Sequence, residues 1–93
     1  MSKGMALAIA LATVGLATTA RADAPAGDAC AAKLDSDGKA IYAATVAARP
    51  TTENLRSVVE QQTRSLAIKG KIGRGQAREN AQAAGECVKT SLQ

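Results

Sequence analysis

The chain of 93 residues has no histidine, tryptophan or phenylalanine, and Tyr42 is its single aromatic side chain. Each gap removes a class of chemistry. Histidine is the side chain that changes charge near neutral pH and a frequent metal ligand, so the usual general base and the usual metal anchor are both missing. Single-stranded nucleic acid is held by stacking bases on several rings. One tyrosine cannot supply that platform, and a nucleic-acid partner is not expected. Length adds a further limit: 93 residues make one domain and not two.

What is present divides sharply at residue 22. Met1-Ser2-Lys3 gives a short basic start, and Met5 to Ala20 is an uncharged run of Ala, Leu, Ile, Val, Thr, Gly and one Met. Ala20-Arg21-Ala22 then places small residues at the two positions a signal peptidase reads. This layout predicts a secretory signal peptide over residues 1–22, cut before Asp23, and a mature domain over residues 23–93. The run is short and weakly apolar for a bilayer span of roughly 20 residues, so no transmembrane segment is expected after processing. The expected location is periplasmic or secreted.

Cys30 and Cys87 both fall in the exported part, and two cysteines allow one intramolecular pairing. In an oxidising compartment that pairing reads as a disulfide. A redox-active role would want a Cys-x-x-Cys spacing, which is absent here.

Three helices are expected in the mature part. The first spans about 37–48, capped by Asp35 or Ser36 and stopped at Arg49-Pro50, because proline disfavours helical geometry in the residue before it. The second opens at Thr51 or Thr52 and carries Leu55, Val59, Gln62 and Leu66 at spacings of four, three and four, one face of a helix. Gly70 ends it. The third spans about 76–91, with Ala77, Ala81, Ala84 and Val88 on one stripe. Gly85 inside it marks a place where the disulfide or another backbone could press in. Residues 23–29 read as an unstructured lead-in, and 70–75 as a flexible connection.

The expected fold is therefore all-α: a small three-helix domain, a helical hairpin crossed by the first helix, stapled by one disulfide. Beyond alanine, its core draws on Leu34, Ile41, Tyr42, Val46, Leu55, Val58, Val59, Leu66, Ile68, Ile72, Val88 and Leu92. That set is thin for its length, and a staple is the usual remedy.

Charge is modest in sum and uneven along the chain. Loss of residues 1–22 leaves ten basic and eight acidic side chains, so the formal charge falls from +4 to +2. From Arg56 to Arg78, six cations face one acid, Glu60. Lys69, Lys71, Arg74 and Arg78 surround the glycine-rich 70–75 connection, whose backbone amides could cradle an anion at the start of the third helix. The order of residues is not that of a Walker loop. Asp35-Ser36-Asp37-Gly38 resembles the opening of a calcium loop, yet the first and twelfth positions would be Lys33 and Ala44, so no metal site is expected. Helix capping explains those acids better.

No catalytic residues, metal or cofactor are expected. In plan, a small exported helical domain with one disulfide is similar to the acid-stress periplasmic chaperones. That similarity lies in size, compartment and cysteine count, with no shared motif. The resulting expectation is a non-enzymatic interaction or stress protein with an unknown protein partner. The alternative is a binder of an anionic ligand, envelope component or membrane surface through residues 69–78.

Overall fold

The computed structural model describes residues 24–93, and the expected signal peptide and its cleavage site lie outside them. Four helices follow one another: α1 (Ala24–Ala31), α2 (Ser36–Ala47), α3 (Leu55–Ile68) and α4 (Ala77–Leu92). All regular structure among the described residues is helical. The last three match the expected helices to within a few residues. The first corrects the expectation of three helices, because most of the lead-in is α1.

Helix α1 forms against its own composition. Its eight residues, Ala-Pro-Ala-Gly-Asp-Ala-Cys-Ala, are too few to hold a helix alone and include a helix-weakening glycine. Pro25 is harmless, since the first turn needs no amide donor there. Packing on α4 supplies what propensity does not. Gly27 is buried so closely on α4 that a Cβ built there would overlap Ser91 Cβ and lie 3.0 Å from Ser91 Cα. One turn on, Cys30 is bonded to Cys87, with their Cα atoms 5.4 Å apart. Between them, Asp28 Oδ1 accepts a hydrogen bond from the Tyr42 hydroxyl of α2 at 3.0 Å.

These contacts set the directions. Gly27 meets Ser91 and Cys30 meets Cys87, so α1 and α4 run antiparallel. A Cβ at Gly85 of α4 would lie 3.7 Å from Val59 Cγ2 of α3, and the two residues stand about equally far from the short segment that joins the helices, as in the expected antiparallel hairpin. Helix α2 packs on both α3 and α4, and α4 touches all three other helices. A three-helix arrangement had to bring Cys30 back along the bundle to reach Cys87. The extra helix does this directly.

Several helix ends have a local cause. Asp35 caps α2, its Oδ1 accepting from the Gly38 amide at 2.8 Å. Arg49 ends α2 with a φ of 54°, a left-handed conformation usually given to glycine, and buried Pro50 follows. Before α3, the Thr51 amide donates to Asn54 Oδ1 at 2.7 Å while the Asn54 amide donates to Thr51 Oγ1 at 3.2 Å. This reciprocal pair is a capping box over the turn that leads into the helix.

The core consists of Ala31, Ile41, Tyr42, Val59, Ile72, Ala84, Cys87 and Val88, with Leu34, Val46, Leu55, Leu66 and Leu92 packed partly against it. Two expected members fall outside it, Val58, which is half-buried, and Ile68. Ile68 is 70% exposed, because it lies two positions past Leu66 and so about 200° round the helix from the buried stripe. Thr45 is fully buried and its hydroxyl has no hydrogen-bond partner among the described residues, a net cost inside an already small core.

Gly85 carries no close approach: the 3.7 Å to Val59 is ordinary van der Waals contact. Gly85→Ala should therefore stabilise the domain by up to about 1 kcal/mol, the helix-propensity gain, with a small added contact to Val59. Urea unfolding of the oxidised protein measures this. A loss of stability would mean that α3 and α4 sit closer than the structure places them.

Candidate anion-binding face

The segment between α3 and α4 is built from its first residue onward by backbone chemistry. Gly70 takes a φ of +74°, and the Lys71 amide reaches back to the Leu66 carbonyl at 2.9 Å while the Gly70 amide reaches Ala67 at 3.1 Å. That pair of bonds is a Schellman cap, which satisfies two of the free carbonyls at the helix end. The chain then turns Ile72 into the core, where it is 6% exposed. Immediately after, the Gly73 amide donates to Asp37 Oδ2 at 3.0 Å, from the first turn of α2.

This is a pinned segment, where a flexible connection was expected. The pinning changes what it offers an anion. The Gly70, Lys71 and Gly73 amides are engaged within the protein, so they do not form an open cradle. The side chains remain available. Lys69, Lys71, Arg74 and Arg78 are all exposed, and none forms an ion pair with a carboxylate among the described residues. Lys69 and Lys71 flank the left-handed Gly70. Arg74 and Arg78 flank the start of α4, where Gln76 gives no side-chain cap and the dipole end is positive.

Two charged neighbours join the face. Asp37 lies against Gly73, its Oδ2 accepting from the Gly73 amide. The same hydrogen bond brings the start of α2 to this end of the bundle, so Lys33 and Lys39 are not remote from the basic segment as sequence distance implies. Arg64 is exposed one turn before Ile68 on α3. By contrast, Arg56 is paired with Glu60 at 4.0 Å on an exposed stretch of the same helix, a contact that contributes little.

Sequence reasoning missed Asp37 and Ile68 as parts of this face. Asp37 could not be found, because its partner lies 36 residues away. Ile68 could have been: it falls off the stripe formed by Leu55, Val59, Gln62 and Leu66.

Among the described residues, no group of three or more Cys, Asp and Glu side chains is placed to hold a metal ion. No helix among them is long and apolar enough to cross a membrane. Comparison with protein-family models, with curated proteins and with solved structures yields no significant match.

Proposed function

We propose that this chain is a non-enzymatic exported protein, periplasmic or secreted, which binds an anionic component of its surroundings through the 69–78 face. The observation that carries this reading is the grouping of four exposed cations, free of carboxylate partners among the described residues, around one short and pinned segment. A fixed backbone spares binding the cost of ordering the segment, which leaves only the side chains to be ordered. The Cys30–Cys87 bond is consistent with an oxidising compartment. Binding to a protein through an apolar patch has less support, since Ile68 is the one exposed large hydrophobic side chain among the described residues.

The test is binding of the oxidised protein to inorganic polyphosphate at increasing salt. Affinity should fall as salt rises, because screening acts within about 8 Å at physiological ionic strength. Replacing Lys71 and Arg74 together by Gln should weaken binding about 30-fold at low salt, on the scale of about 1 kcal/mol per cation near an anionic surface. Helix content should not change, since both side chains are exposed. Arg49 and Lys89, at the opposite end of the bundle, are the control pair. Equal losses from both pairs would reduce the reading to diffuse attraction, and binding by the unaltered protein to neither polyphosphate nor anionic vesicles would end it.

A further inference from the structure

We propose that the anionic component is a lipid bilayer surface, and that Ile68 enters it as an apolar anchor between the cations of the basic face. This rests on the anion-binding reading above and narrows it. Ile68 is the last residue of α3 and is 70% exposed, whereas the rest of the helix end is turned inward through Leu66 and Ala67. The side chains around it on the chain are cationic: exposed Arg64 one turn earlier, Lys69 next to it and Lys71 three positions on.

The nearest acid on the same helix, Glu60, is two turns away and engaged with Arg56. A soluble polyanion gains nothing from an isoleucine in such a setting, because it has no apolar phase to receive one. An anionic bilayer uses both elements. Its surface potential attracts the cations, and its acyl region takes the side chain out of water. Lysine stems fit the same boundary, since they can lie along apolar surface with their ammonium groups at the headgroups.

The insertion is shallow. No described helix could span the membrane, so the complex is peripheral and reversible, held by two weak terms that act together. The site sits on the Schellman-capped end of α3, whose backbone is fixed by Gly70 and Ile72, so Ile68 is presented without local unfolding.

The experiment compares three partners for the oxidised protein: vesicles of mixed phosphatidylglycerol and phosphatidylcholine, vesicles of phosphatidylcholine alone, and inorganic polyphosphate. Ile68→Ser should weaken binding to the anionic vesicles about tenfold, the share expected from partial burial of one large aliphatic side chain. It should leave polyphosphate binding unchanged. The chain has no tryptophan, so Ile68→Trp introduces a sole reporter. Its emission should shift to the blue with anionic vesicles, and not with polyphosphate or neutral vesicles. Binding of the unaltered protein to polyphosphate but not to vesicles, or an equal effect of Ile68→Ser on both, overturns the bilayer assignment and leaves the anion-binding reading standing. Binding to neither partner removes that reading as well.

Discussion

Reduction of the Cys30–Cys87 bond should lower the melting temperature by roughly 15–30 °C or leave no folded state at all. The bond closes a loop over a sequence separation of 57, for which chain entropy gives about 4 kcal/mol of stabilisation. A small domain has only about 5–15 kcal/mol in total, and this one draws its core from eight buried apolar residues, two of them alanine. The structure adds a local consequence. Helix α1 is too short to persist alone, so reduction should release it first and expose Tyr42 and Cys87, which it contacts. Circular dichroism melts with and without reductant, on protein whose thiols have been counted, decide the matter. An unchanged melt with the bond shown to be open would mean that the apolar core alone suffices.

The second large effect is expected at Gly27. Adding one methyl there (Gly27→Ala) places a carbon onto Ser91 Cβ, 2.7 Å from the Tyr42 hydroxyl and 3.0 Å from the Ser91 backbone. Neither neighbour can retreat easily. Ser91 belongs to α4, held one turn away by the disulfide, and the Tyr42 hydroxyl is committed to Asp28. Overpacking of this kind typically costs 1–3 kcal/mol, and about 2 kcal/mol or more is expected here despite alanine's better helix propensity. Pairing the change with Ser91→Gly should restore part of the loss, since it removes one of the two clashing carbons. Denaturant unfolding of the single and double variants gives the coupling directly. Additive losses would show that α1 and α4 do not meet at this point.

The two glycines in question show what local pattern can and cannot reveal. In the sequence, Gly85 stands out because it interrupts an otherwise regular helix, and it was the natural place to look for a close approach. Gly27 sits among Pro, Ala and Asp, a composition that reads as loop. Packing reverses their roles: Gly27 is where two helices touch, and Gly85 faces only ordinary contact. Helices α2, α3 and α4 were legible because caps, proline and apolar spacing all act within a few residues. The cysteine pairing was legible because two cysteines leave no alternative. Helix α1 was not, since its stability comes from Ser91, Cys87 and Tyr42, all distant in the chain.

The candidate face divides the same way. Lys69, Lys71, Arg74 and Arg78 could be read off as neighbours, because a single turn joins them. The fate of the backbone amides between them could not, for it depends on a cap at Gly70, a buried Ile72 and a carboxylate from α2. Arg49 is a further case: nothing in its type announces the left-handed conformation that a glycine would adopt more readily.

The antiparallel seam between α1 and α4 also settles how the molecule would respond to being cut. Within residues 24–93, the disulfide turns the covalent structure into a ring running from Cys30 to Cys87, with a short arm at each junction. The exposed turns that join α2 to α3 and α3 to α4 both lie on that ring. A protease that severs either turn opens the ring but detaches nothing. The two peptides remain one molecule, its mass increased by a single water, and they part only when the bond is reduced.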